Sequence, residues 1–162
     1  MIPIAPSSAD DRAPGRRRAV FLDRDGTLTE PRHYPADPEE LVLQPGIEAP
    51  LRAFQDEGVA LVVITNQSGL ARGLFNEPTL SAMHDRLREL LAQHGVRLDG
   101  IYTCPHHPDG RIAHLRTTCG CRKPAPGVLR QAAADLRLDL ASSEQLSIPV
   151  DHRGEPQVAR SH

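Results

Sequence analysis

Apolar and polar positions alternate in blocks along this chain, and the blocks predict its elements. Ala19 to Leu22 is a short apolar run that ends on Asp23. Val59 to Ile64 is a second, six apolar residues without alternation, closing on Thr65. Such a run suits a strand of a parallel sheet covered on both faces. A third strand fits Gly100 to Thr103, ending at Cys104. Between them the period changes. Ile47, Leu51 and Phe54 fall at helical spacing, with Gly58 as a stop. Asn76-Glu77-Pro78 reads as a cap and first turn. Leu80, Met83, Leu87, Leu90 and Leu91 then form one stripe, ended by Gly95. Val128, Leu129, Ala132, Ala133 and Leu136 mark a last helix. Strands alternating with helices predict an α/β fold with a parallel, doubly wound sheet.

The 162 residues suffice for one domain with a real core. Residues 1–17, rich in Pro, Ser, Asp and Arg, read as a disordered tail. Arg16-Arg17-Arg18 hints at a twin-arginine signal, but only Ala19 to Leu22 follow before Asp23, so no hydrophobic region completes it. No stretch is long enough to cross a bilayer. A net charge of −2 and only five aromatic residues, none of them Trp, argue against nucleic acid or an anionic membrane as partner. The expectation is a cytoplasmic monomer acting on a small molecule.

In an open parallel sheet, ligands bind beyond the carboxyl ends of the strands, so the three strand ends are where chemistry is expected. The first reads "FLDRDGT", residues 21–27. Asp23 and Asp25 are two apart and point the same way on an extended segment. Gly26 permits a tight turn after them. Two such carboxylates invite a divalent cation, or one attacks as nucleophile while the other handles a proton. The second end, "TNQSGLARG", residues 65–73, offers hydroxyls, amides and glycines that can present donors to a phosphate.

The third end carries Cys104-Pro-His106 and, after twelve residues, Cys119-Gly-Cys121. Three thiolates and one imidazole are a closed zinc set, which marks a structural metal stapling a polar loop. His107 and His114 compete as nitrogen ligands, and the spacing favours His106. The staple would fix the backbone just before Arg122 and Lys123. Lys123 is the sole lysine beside eighteen arginines. An ammonium is a compact point charge where a guanidinium is a planar fork, so Lys123 is expected where only an ammonium fits.

Together these motifs resemble the haloacid dehalogenase (HAD) superfamily of aspartate-nucleophile phosphatases. "FLDRDGT", "VVITNQSG" and "CRKPAPG" match its first three motifs. "TNQSGLARG", "GIYTCPHHP" and "CGCRKP" narrow the resemblance to the branch of D-glycero-D-manno-heptose-1,7-bisphosphate 7-phosphatases, over about Ala19 to Ser143. The resemblance implies a three-layer Rossmann-like fold with a zinc-stapled loop and no large cap domain, the core lying at 18–143. It implies that Asp23 attacks phosphorus, that Asp25 protonates the leaving oxygen and then activates water, and that Thr65 and Lys123 hold the phosphoryl oxygens. Mg²⁺ would bridge Asp23, the Asp25 carbonyl and the phosphate. Pro31, Arg32, His33, Tyr34, Asn66, Gln67, Ser68 and Arg122 would face the sugar or its second phosphate. Cys104, His106, Cys119 and Cys121 would bind Zn²⁺.

The superfamily's fourth motif, a Gly-Asp with another acid four residues on, does not follow Ser143. Residues 144–162 read instead as a divergent tail, "EQLSIPVDHRGEPQVARSH". Asp151 after a possible strand at Leu146 to Val150, with Glu155 four residues on, imitates the acid spacing. The other reading is a truncated or frame-shifted end that lacks the final strand and helix. Two alternatives to the heptose reading accompany this departure: the histidinol-phosphate phosphatase branch, and an inactive homologue that only binds phosphate esters.

Overall fold

The computed structural model describes residues 15–146. Its elements are β1 (Ala19–Leu22), α1 (Glu48–Asp56), β2 (Ala60–Asn66), α2 (Glu77–Ala92), β3 (Gly100–Cys104), α3 (Gly127–Leu136) and β4 (Glu144–Leu146), joined by loops with three short 3₁₀ turns. The four strands are parallel and ordered β3-β2-β1-β4. Chain order runs outward from β1 through β2 to β3, then returns past β1 to place β4 on its other side. That reversal beside β1 is where an open α/β sheet forms its ligand crevice.

Strand alternation sorts the core into two layers. Val20 and Leu22 of β1 and Leu61 and Val63 of β2 face Leu51 of α1 and Met83, Leu87 and Leu91 of α2. Ala19 and Phe21, with Ala60, Val62 and Ile64, face Val128, Ala132 and Ala133 of α3. Both faces of β1 and β2 are therefore covered, which is why their sequences show no polar alternation.

The predicted helix ends hold. Asn76 Oδ1 accepts from Thr79 N at 3.0 Å, capping α2. Gly58, at φ +76°, ends α1 and lets Val59 N reach Phe54 O at 3.0 Å.

Two boundaries differ from the sequence reading. Arg17, expected in the tail, is built into the fold. Its backbone pairs with Arg137 and Asp139, and its guanidinium meets Asp99 at 3.1 Å. At the other end, residues 144–146, also expected in a tail, form β4. Glu144, Gln145 and Leu146 register with Val20, Phe21 and Leu22, and Arg18 pairs with Glu144 at 2.9 Å. The strand expected at Leu146 to Val150 thus starts two residues earlier. Its remainder, with Asp151 and Glu155, lies outside the described residues. Among the described residues no helix is long and apolar enough to cross a membrane.

Leu87 is fully buried between α2 and the sheet. Leu87→Ala is expected to cost about 2–5 kcal/mol of stability, read as a lower urea midpoint at unchanged slope.

Candidate active site

The site grows from the end of β1. Asp23 is the first residue past the strand, and its N–H still bonds Leu146 O of β4 at 3.3 Å. The chain then turns sharply. Gly26 sits at φ +82°, and Gly26 N bonds Thr29 O at 2.8 Å. The Arg24 carbonyl accepts from the backbone N–H of Thr27, Leu28 and Thr29 and from Thr29 Oγ1 at 3.2 Å. This leaves the turn little freedom. The two aspartate side chains keep 33% and 30% of their surface, so both are accessible from solvent.

Lys123 reaches this point from the loop before α3. Its Nζ lies 3.1 Å from Asp23 Oδ1 and 2.9 Å from Ile64 O. The place is read correctly from sequence: a compact ammonium serves a carboxylate and a strand-end carbonyl at once. Asn66 holds the lysine's backbone from both sides. Asn66 Nδ2 donates to Lys123 O at 3.3 Å, and Lys123 N donates to Asn66 Oδ1 at 3.0 Å.

Asp25 has different partners. Arg24 forks onto it, Nε to Oδ1 at 3.0 Å and Nη2 to Oδ2 at 3.1 Å. Gln67 Nε2 donates to Oδ2 at 3.1 Å and lies 2.8 Å from Thr65 Oγ1. Thr65 and Gln67 are buried, at 1% and 5% exposure. Arg24 is a site residue that the sequence reading missed. Between two aspartates on an extended segment it should point away from both, but the turn at Gly26 brings Asp25 round onto its guanidinium. The arginine itself is fully buried.

Behind Arg24 stands His84 of α2. Burial, then the Arg24 and Arg88 charges, pull its pKa down to about 4, against the opposing pull of Asp25 and Asp85. The ring is therefore neutral at neutral pH beside a buried guanidinium.

Asp25, Arg32, His33, Tyr34, Pro35, Asn66, Gln67 and Ser68 line one cavity of about 200 Å³. Six of the eight predicted substrate-side residues meet there. Pro31 is exposed and not among the lining residues. Arg122 lines a neighbouring cavity of about 540 Å³ with Lys123, His107 and Cys119. The side-chain amides of Asn66 and Gln67 are occupied by Lys123, Asp25 and Thr65, so these two residues position groups at the cavity's edge.

Cys104, His106, Cys119 and Cys121 converge, their ligand atoms all within 4.8 Å of one another. His106 Nδ1 lies 3.2 Å from Cys121 Sγ. Of the competing nitrogens, His107 faces Arg72, and His114 lines a separate groove with Phe75 and Leu115. Burial and then the neighbouring thiols push the Cys121 thiol far up. At Cys119 burial also raises the pKa, but hydrogen bonds from Cys121 and Cys104 outweigh it and hold the group down to about 6. Three thiolates this close need a cation among them, and the donor set fits a closed tetrahedral metal.

His84 yields a pH prediction. An unfolded histidine takes up its proton near 6.5, and the folded one only near 4. His84 therefore costs stability progressively as pH falls from 6.5 through 4. Thermal midpoints of wild type and His84→Gln should keep a constant difference above pH 7, then move in the variant's favour below 6.5.

Comparison with known proteins fits this geometry. Residues 18–152 match the polynucleotide kinase 3 phosphatase family, past the point where the sequence reading placed divergence. The chain is 46% identical over 133 residues to the D-glycero-beta-D-manno-heptose-1,7-bisphosphate 7-phosphatase of Yersinia pestis, covering 82% of this chain and 71% of that protein. The Escherichia coli K12 protein of the same name is 43% identical over 125 residues, covering 77% and 65%. Among solved structures, a HAD-like phosphatase of Mesorhizobium loti superposes with TM-score 0.76 at 33% identity, covering 88% of this chain and 79% of that one. The D,D-heptose 1,7-bisphosphate phosphatase of B. bronchiseptica, solved with magnesium and phosphate, gives 0.71 at 36%, covering 82% and 71%. With its two strand-end aspartates, its buried threonine and its single lysine in these places, the chain belongs to the polynucleotide kinase 3 phosphatase family of HAD-like phosphatases.

Proposed function

We propose that this chain hydrolyses a phosphate monoester on a small sugar phosphate, the 7-phosphate of D-glycero-D-manno-heptose 1,7-bisphosphate, through an aspartyl-phosphate. The observation that carries the reading is the unequal treatment of the two aspartates. Asp23 faces a mobile point charge, Lys123, which can follow phosphoryl oxygens. Asp25 is gripped from behind by Arg24 and Gln67. A nucleophile needs a free oxygen and a nearby cation, and an acid–base group needs a fixed position.

In this reading an Asp23 oxygen attacks phosphorus as the bond to the sugar oxygen breaks, and Asp25 gives that oxygen its proton. Asp25 then takes a proton from the water that attacks the acyl phosphate, releasing inorganic phosphate and regenerating Asp23. Thr65 and Lys123 hold the phosphoryl oxygens as charge shifts among them. The Asp23 carboxylate and the Asp25 carbonyl are hard oxygen donors at an accessible strand end and would hold Mg²⁺, which supplies charge neutralisation. Pro31, Arg32, His33, Tyr34 and Ser68 around the cavity, with Arg122 beside Lys123, would face the sugar. The four-ligand cluster would hold Zn²⁺ and fix the loop that delivers Arg122 and Lys123. The same reading places a monomer in the cytoplasm, where thiols stay reduced, with no nucleic-acid or membrane partner.

Phosphate release from the bisphosphate, with and without Mg²⁺, tests the chemistry. Magnesium-dependent turnover should fall by roughly a thousandfold or more in Asp23→Asn; equal rates in the two proteins would overturn the assignment. Stripping metal with a chelator should lower the thermal midpoint, and about one equivalent of Zn²⁺ per chain should restore it. An unchanged midpoint and no bound zinc would remove the metal from the cluster.

A further inference from the structure

We propose that Arg72, His107 and Arg111 form a second phosphate-binding subsite next to the catalytic cavity, with Tyr34 as the partition. The proposal rests on the phosphatase reading for its ligand and on geometry for its place. A cavity of about 510 Å³ is lined by His33, Tyr34, Arg72, Leu74, Asp109 and Arg111. It shares His33 and Tyr34 with the cavity that contains Asp25, so one ligand can enter both. Tyr34 is held at φ +47°, a left-handed conformation that costs a non-glycine residue energy and clusters at ligand sites. Its ring meets His33 edge-on at 4.6 Å and carries the Arg72 guanidinium 5.8 Å above it.

The hydrogen bonds around Arg72 do not close among the described residues. His107 Nδ1 accepts from Asp109 N at 3.0 Å, so in the neutral ring the proton is on Nε2. Yet Nε2 lies 3.2 Å from Arg72 Nη2. A donor faces a donor, and protonating the ring leaves the conflict in place. Arg72 Nε is also buried with no partner. Asp109 lines the cavity but makes no ion pair within 4.0 Å with Arg72 or Arg111 among the described residues. Three N–H groups thus converge on a space with no acceptor from the protein, and a second guanidinium stands beside them. A phosphate supplies several anionic oxygens at once, and a guanidinium fork binds two of them in parallel. A neutral sugar hydroxyl would meet the donors and leave both charges unmatched.

Two sources share this chemistry: the remote phosphate of a bisphosphate substrate, and free inorganic phosphate. Binding can be read without turnover in the Asp23→Asn chain, by calorimetry with heptose 1,7-bisphosphate, heptose 7-phosphate and inorganic phosphate. Adding Arg72→Gln should weaken the bisphosphate about tenfold or more, with the monophosphate within about twofold. Arg111→Gln, at an exposed position with no fold to lose, should act in the same direction. Loss of a weak second equivalent of inorganic phosphate, with bisphosphate affinity kept, would assign the subsite to free phosphate. Equal weakening of both esters, or no change in any of the three, would overturn it. If the Asp23 chain itself shows no magnesium-dependent turnover while the Arg72→Gln loss persists, the proposed reaction fails and the subsite stands.

Discussion

One ammonium ties the three strand ends of this site together. Lys123 Nζ bonds the Asp23 carboxylate at the end of β1 and the Ile64 carbonyl near the end of β2. Its own backbone is clamped by Asn66, the last residue of β2. The loop that carries it starts two residues after Cys121, whose sulfur belongs to the cluster with Cys104 at the end of β3. A long flexible side chain is a poor choice for a fixed charge unless its root is immobile. The Asn66 clamp on one side and the cysteine cluster on the other provide that root. The metal-ligand pattern and the lysine are therefore one device, and a change at either end would displace a charge that Asp23 depends on.

The fold that supports this device was legible where burial wrote it into composition. β1 and β2 are covered on both faces, and their unbroken apolar runs gave their place to within a residue or two. The α2 stripe and its Asn76 cap were equally plain, because one helix face meets the core and the other meets water. β4 was not legible as a strand. Its residues Glu144, Gln145 and Leu146 include two polar side chains, and its place comes from backbone pairing with β1 and the Arg18 ion pair. A three-residue edge strand needs no apolar run, so pattern alone cannot find it.

At the site, residues whose role follows from chemical type were readable: the two aspartates, the lone lysine, and the cysteines with His106 by spacing. Residues whose role depends on a turn were not. Arg24 should face away from its neighbours by strand alternation, and only the backbone reversal at Gly26 puts its fork on Asp25. Gln67 was readable as a loop donor and not as the group that joins Asp25 to Thr65. His84 carried no signal at all, since a histidine on a helix looks like surface until a buried guanidinium is found beside it.

Charge explains why these partners are arranged as they are. Asp23 is matched by Lys123 and Asp25 by Arg24, so the paired groups are neutral before any ligand arrives. A protonated His84 would add a positive charge directly behind Arg24. Burial instead keeps the ring neutral, and the guanidinium's field acts in the same direction. A phosphate monoester that enters such a site brings about two negative charges and finds no spare cation in the inner pairs. The compensation has to come from outside them: from a divalent ion at the aspartates, from Arg122 beside Lys123, and from Arg72 and Arg111 beyond Tyr34. The free guanidiniums thus stand around a neutral centre, where they attract a ligand without competing for the carboxylates that react with it.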